Sequence, residues 1–376
     1  MKFRYAHASH ADWKTATEVA LVDLAKPTRL PASLGFVYFT ESFVPYAAEI
    51  LLLLKTHSGV TDWVGSVGVG ICATGTEYLD EPAIVLMIGD FPRASFAVFS
   101  GQAPIKLMGA SNSAPWFGIV HGDPATPDVD ELIADMSKKV QSGYLAGGLS
   151  SARGATVQIA NQVFGGGLSG VVFDQSIDIA TRLTQGVAPV GATLLKRGGT
   201  RRTITSAERN IIVTLDDRPA LDVMLEDCGL SMKTLRQRAR EVFIALPVVG
   251  SEGALGAGDY LVRNLLGIDP LQKLIAIGEV PQTGAGMMFC MRDATSARND
   301  LISMIYDLKD DLTAPPKAAL YYACVARGQN MFGEQHAELK LIREHLGDIP
   351  LVGFFAAGEI ARDQLYGYTG VLTVFK

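Results

Sequence analysis

The sequence predicts an α/β fold in two parts: a layered sandwich of mixed β-sheets covered by helices, built from internally repeated strand-helix-strand-hairpin units. Three observations lead there. A glycine hexad recurs as Gly65-Ser66-Val67-Gly68-Val69-Gly70, as Gly143-Tyr144-Leu145-Ala146-Gly147-Gly148 and as Gly353-Phe354-Phe355-Ala356-Ala357-Gly358. An apolar run (Phe36 to Phe39, Phe117 to Val120, Leu320 to Ala323) and a helical stretch precede each copy, and a second apolar run follows it, which is the signature of an internal repeat. Finally, 376 residues with 48% hydrophobic and 19% charged content exceed one ordinary core and suggest about two well-buried domains.

The elements follow in order. Trp13, Ala16, Ala20 and Leu24 recur at spacings of three and four, an amphipathic helix ended by Lys26-Pro27. Gly35 to Phe39 reads as a buried strand, and Val44 to His57 as a helix with Pro45 in its first turn and Gly59 past its end. Trp63-Val64 enters the first hexad, and Ala83 to Ile88 closes the unit. The second unit runs from Trp116 to Val120 through a helix at about Asp128 to Val140 to Leu168 to Phe173. Short runs such as Thr156 to Ala160 and Gln162 to Phe164, split by Asn161, read as hairpins and make the sheets mixed. Asp216-Asp217-Arg218-Pro219 is a strong turn and sets the expected domains at 29–218 and 219–376. Helices at Ala220 to Glu226, Met232 to Glu241 and Thr295 to Leu308 follow, with strands between them and the third unit after Pro315-Pro316.

Composition excludes several function classes. A formal charge of −6 opposes nucleic-acid binding, and the basic cluster Lys196-Arg197 with Arg201-Arg202 is broken by glycines. No apolar run approaches the ~18 residues of a membrane span, and Met1 to His7 lacks the apolar core of a secretory signal. Cys72, Cys228, Cys290 and Cys324 share no paired or metal-type spacing, which fits free thiols in a cytoplasm. No histidine pair has ligand spacing, so neither a metal nor a cofactor is expected. Gly68 to Ala73 has the form of a dinucleotide fingerprint, but Gly75 and Pro82 follow where a helix is required. The Gly250 to Gly258 loop lacks the Gly-Lys-Ser/Thr ending of a P-loop, and no Gly-x-Ser-x-Gly elbow occurs.

The richest constellation lies in the third unit, where neighbouring strands bring Cys324, Arg327 and Glu359 towards one sheet edge. Two readings stand side by side: a small buried thiol beside a structural ion pair, or a cleft offering a thiol, a cation and a carboxylate. A catalytic Cys324 lacks a visible base, since His336 is not placed as one.

At these residues the chain resembles the FIST domain family. Leu320 to Gly328, Pro350 to Ile360 and Tyr368 to Leu372 look like its C-terminal signature, while Leu34 to Phe39, Val64 to Gly70 and Tyr144 to Gly148 look like its N-terminal part. Val262-Arg263-Asn264 and Arg292-Asp293-Ala294 also fit, and Ala326 stands where the family commonly has glycine. The resemblance implies an intracellular sensory protein that binds a small ligand, such as an amino acid or related metabolite, and signals through a separate partner protein. It supplies no catalytic residues. The alternatives are a hydrolase or transferase using Cys324, and a protein-interaction scaffold. The expected ligand site is Cys324, Arg327, Gly328, Asn330, Gly353, Phe354, Gly358 and Glu359, with Arg327 gripping a carboxylate and Glu359 an ammonium. The region around Gly70 and Glu77 is the second candidate.

Overall fold

The computed structural model describes residues 1–26, 30–101, 103–105, 114–191, 199–248 and 260–376. Lys196-Arg197 and the Gly250 to Gly258 loop lie outside them. The chain forms two compact units, one of Met1–Leu183 with Leu301–Lys376, the other of Thr184–Asp300. This spatial division is discontinuous in sequence, whereas the expected one at 218/219 is continuous.

The first repeat begins with β1 (Phe3–Ser9) and α1 (Trp13–Leu24), whose N-terminus is capped by Asp12 accepting the Thr15 N–H at 2.8 Å. Next come β2 (Leu34–Thr40), α2 (Ala47–Ser58) and β3 (Asp62–Gly68). Every residue of β2 is buried, as an uninterrupted apolar run requires of an interior strand. Helix α2 ends at Gly59 in the left-handed conformation and returns the chain so that β3 lies parallel to β2. A hairpin, β4 (Gly70–Ala73) and β5 (Thr76–Leu79), then precedes β6 (Ala83–Gly89), which pairs antiparallel with both β2 and β1.

The second repeat has the same strand order: β7 (Phe96–Phe99), β8 (Phe117–Gly122), α3 (Val129–Ser137), β9 (Tyr144–Leu149), the hairpin β10 (Gln158–Ala160) and β11 (Val163–Phe164), and β12 (Leu168–Phe173). The third opens with β13 (Ile179–Gln185). The chain then builds the second unit before resuming.

That unit contains β14 (Val187–Pro189), β15 (Arg201–Glu208), β16 (Ile211–Leu215), β17 (Arg218–Pro219), α4 (Ala220–Asp227), α5 (Met232–Arg238), β18 (Val242–Pro247), β19 (Tyr260–Asp269), β20 (Leu274–Ile277) and β21 (Gly286–Arg292). Strands β21, β15, β16, β20, β19 and β18 pair in that order, all antiparallel, and β18 pairs back to β21. These six strands therefore close into a barrel, beside which β14 pairs with β21 and β17 with β16. Its core joins Ile204, Ile244, Ile275 and Phe289 to Leu221 and Met224 of α4. The third repeat continues with α6 (Ala294–Asp310), β22 (Ala318–Cys324), α7 (Gln329–Phe332), α8 (Ala337–Leu346), β23 (Leu351–Ala356), the hairpin β24 (Glu359–Ala361) and β25 (Gln364–Tyr366), and β26 (Thr369–Phe375).

The three repeats exchange their hairpins in a closed cycle. The sheets read β1-β6-β2-β3-β10-β11, β7-β12-β8-β9-β24-β25 and β13-β26-β22-β23-β4-β5. Each is thus completed by a hairpin from a different repeat: the second supplies the first, the third the second, and the first the third. The cores record the same exchange. Ile159 of β10 is buried among Val37, Trp63 and Leu86 of the first repeat, and Ile360 of β24 among Val120, Leu145 and Val172 of the second. An isoleucine buried this way contributes about 1.5–3 kcal/mol, so no repeat has a complete core alone.

Candidate functional site

Strand register shows how the glycines are used. Gly65 lies opposite Val37, Gly147 opposite Val120 and Gly353 opposite Tyr321, each across a parallel pair. A Cβ at these positions would sit 1.8, 1.8 and 1.7 Å from the facing carbonyl oxygen, closer than any side chain allows. The exchanged hairpin strand meets the same glycine on its other side, through Ile159, Ile360 and Cys72. The first and third hexads are therefore equivalent. The equivalent of the second is Gly147 to Ala152, four residues beyond the copy expected at Gly143 to Gly148. Gly143 instead lies in the turn before β9, with φ +66°.

One residue beyond Val37, Val120 and Tyr321 stand Tyr38, His121 and Tyr322, and these three equivalent side chains meet. The Tyr38 hydroxyl lies 3.1 Å from His121 Nε2 and 3.0 Å from the Tyr322 hydroxyl. The Phe354 ring stacks on Tyr38 with centroids 5.2 Å apart and packs edge-on to Tyr322. All four are fully buried, and burial pushes the His121 imidazole down to about 3, so it is neutral at physiological pH. Three sheets whose equivalent residues touch at one point are arranged with approximate threefold symmetry.

Four residues past each glycine the chain leaves its strand, and there Val69, Ser151 and Ala357 line one cavity of about 460 Å³. Leu79, Asp80, Pro124, Ser150, Ala152, Arg153, Val325, Gln329 and Asn330 complete its wall. The floor is tied by hydrogen bonds between repeats. Ser151 Oγ accepts the Val69 N–H at 3.0 Å and donates to the Phe355 carbonyl, and Ser150 and Ser66 hydroxyls lie 2.7 Å apart. At the rim, Arg153 pairs with Glu41 at 2.6 Å and with Asp80. The lining mixes apolar surface with hydroxyl, amide and ionic groups, as sites for small polar molecules do.

Of the residues expected at a ligand site, Asn330 lines this cavity. Arg327 is fully buried and paired with Glu338 (2.6 Å), whose carboxylate also accepts the Tyr321 hydroxyl (2.5 Å) and the Gly328 N–H (2.9 Å). Its guanidinium lies 5.4 Å from the Phe332 ring centroid. Gly328 has φ +57°, and a side chain there would meet Phe355 and Glu77. Gly353 and Phe354 belong to the strand interior just described, and the Gly358 carbonyl accepts the Leu149 N–H at 2.8 Å. Glu359 is buried and accepts the Thr369 N–H and hydroxyl at 3.1 and 2.7 Å; burial raises its carboxyl to about 8. Burial, reinforced by Glu359, pushes the Cys324 thiol up to about 12, so it is not a thiolate at neutral pH.

Sequence reasoning missed Ser150, Ser151 and Arg153. The signal was present: sliding the second hexad by four places Ser151 where Val69 and Ala357 stand. The dinucleotide-like Gly68 to Ala73 run enters strand β4 rather than a helix. Among the described residues no His, Cys, Asp and Glu cluster has metal-binding form, and no helix is long and apolar enough to cross a membrane.

The fold and site define a triply repeated α/β protein with a cavity where its repeats converge. Models of the FIST N domain and the FIST C domain match residues 33–218 and 220–362, and the chain belongs to the FIST family. It is 29% identical over 358 residues to the uncharacterized protein Rv0628c of Mycobacterium tuberculosis, covering 91% of each chain. It is 30% identical over 357 residues to the uncharacterized protein Mb0898c of Mycobacterium bovis, covering 91% of this chain and 90% of the relative.

Proposed function

We propose that the protein is a cytoplasmic sensor and that the cavity at the convergence of the three repeats binds its small ligand. One observation carries the reading: all three repeats deliver the same position, Val69, Ser151 and Ala357, to a single cavity of about 460 Å³. A molecule seated there touches every repeat, so its binding energy is coupled to the arrangement of the whole unit, which a sensor requires. FIST domains are associated with sensory signal transduction and small-ligand binding, and the free cysteines accord with a reducing compartment. The ligand class that suits the lining is an amino acid or related metabolite. A zwitterion would exchange into the rim pair, its carboxylate meeting the Arg153 guanidinium otherwise shared by Asp80 and Glu41 and its ammonium meeting Asp80, with Val69, Leu79 and Val325 as an apolar wall. Output then passes to a separate signalling protein. The Cys324 enzyme reading has no support from a thiol buried and protonated as this one is.

The test is a thermal-shift screen of amino acids and common metabolites, followed by calorimetry. A true ligand at 100 times its Kd should stabilise the protein by about 2.7 kcal/mol. Ala357→Phe, which fills the cavity from an exposed position, should abolish that stabilisation while leaving the fold intact. A hit that stabilises Ala357→Phe and the parent chain equally would move the site elsewhere.

A further inference from the structure

Glu77 sits on the hairpin that the first repeat gives to the third. It is fully buried, and its Oε1 accepts the N–H groups of Gln329 and His336, each at 3.1 Å. Its own N–H donates to His336 Nδ1 at 3.0 Å, which places the proton of that neutral imidazole on Nε2. Three hydrogen bonds thus fasten the hairpin to both ends of the segment from Gln329 to His336, and Gln329 and Asn330 are cavity wall. On its other side this segment is held by Glu338 through the Gly328 N–H. The wall is clamped between two buried carboxylates.

The second of these has Arg327 as its ion partner, whereas among the described residues Glu77 has no ion partner and its Oε2 is buried without a hydrogen-bond partner. Glu338 faces it from α8 with Arg327 attached, and Cys72 faces it across the hairpin. His336 has its lone pair committed, with Lys340 and Glu81 acting on it, and Arg343 packs over Gly75 at the hairpin turn. A carboxylate in that position is destabilised by burial and by Glu338, and a proton on Oε2 removes both penalties while Oε1 keeps both N–H bonds.

We propose that Glu77 is a proton-operated latch on the cavity wall: protonated, it holds the 329–336 segment closed, and its ionisation favours release of that segment into water. The proposal concerns regulation of the cavity read above as the ligand site and rests on that reading for its functional meaning. Burial and, secondarily, Glu338 raise the carboxyl to about 7, against its ordinary 4.5. A raised acid favours the clamped state most below its free value, and this advantage is lost as pH rises through the clamped value. The latch therefore loosens between about pH 4.5 and 7 and is loosest above that.

Amide hydrogen exchange on the intact, ligand-free chain tests this without knowledge of the ligand. Exchange of peptides covering 325–337 is followed from pH 5.5 to 8 and corrected for intrinsic chemistry, with β22 amides as the control for global folding. Protection of Gln329 and His336 should fall by on the order of tenfold across this range in the parent chain. Glu77→Gln, which keeps the acceptor and cannot ionise, should remain protected with a flat profile, and Glu77→Ala should be unprotected throughout. The same pH slope in Glu77→Gln as in the parent would overturn the proposal, and so would full protection in a folded Glu77→Ala. If Glu77→Ala does not fold, the Glu77→Gln profile decides alone. Absence of any ligand hit would leave this result standing and count only against the sensor reading.

Discussion

The two units solve one problem in opposite ways. A β-sheet with free edges exposes unpaired N–H and C=O groups. The Thr184–Asp300 unit removes its edges by closing six antiparallel strands on themselves, using pairs near in sequence such as β15 with β16 and β18 with β19. The larger unit covers one side of each sheet with a hairpin borrowed from another repeat, so residues as distant as Cys72 and Gly353 are paired. The barrel's order is mostly local. That of the repeats is collective, and the cavity exists only because the exchange brings three strand ends together.

Three comparisons sharpen this contrast. The largest effect is expected at the shared glycine. Gly353→Ala forces a Cβ to 1.7 Å from the Tyr321 carbonyl, which no rotamer change relieves, and the folded repeat unit should be lost, as read by circular dichroism and thermal melting. Gly267→Ala in the barrel, where a Cβ would meet only Ala276 at 3.9 Å, should leave the melt nearly unchanged.

Buried charge comes next. Arg327→Ala strands Glu338 at zero exposure and should cost about 3–5 kcal/mol in denaturant unfolding. Arg263→Ala, which breaks the half-exposed pair with Glu279 in the barrel, should cost about 0–1 kcal/mol. A folded Arg327→Ala protein of parental stability that fails to bind ligand would instead restore Arg327 to the ligand site.

The smallest effect is one of pH. His121 titrates near 6.5 when unfolded but is held down to about 3 in the fold. Its contribution is fully present above 6.5 and is lost as pH falls towards 3, because protons bind the unfolded chain more readily. Histidine is absent from 184–300, and Trp13, Trp63 and Trp116 all lie in the other unit. Because Glu77 and Glu359, with raised carboxyls, gain stability over the same window, tryptophan fluorescence should show the parent midpoint falling relative to that of a His121→Gln variant between pH 6.5 and 4, and a constant difference between the two would show His121 accommodated in its charged form.

Much of this was legible in the sequence for a physical reason. Buried strands such as Leu34–Thr40 and Thr369–Phe375 need uninterrupted apolar runs, helices such as Trp13–Leu24 need apolar spacings of three and four, and a backbone pressed against a neighbour's carbonyl needs glycine. Those requirements are local, so they are written at Gly65 and Gly353, at Asn161 between two short strands, and in the FIST signatures. What tertiary structure alone decided is which elements meet. Hairpin-to-strand pairing depends on backbone hydrogen bonds that carry no side-chain code, so nothing in Gly70 to Leu79 names β23 as its partner. The register of the second hexad was misread because Gly143 to Gly148 fits the glycine pattern while Gly147 to Ala152 carries Ser150 and Ala152 in place of its later small residues, and only the carbonyl of Val120 marks Gly147 as the equivalent glycine. Arg327 reads in the sequence as a ligand clamp or as a structural ion pair, and only tertiary structure places Glu338 beside it.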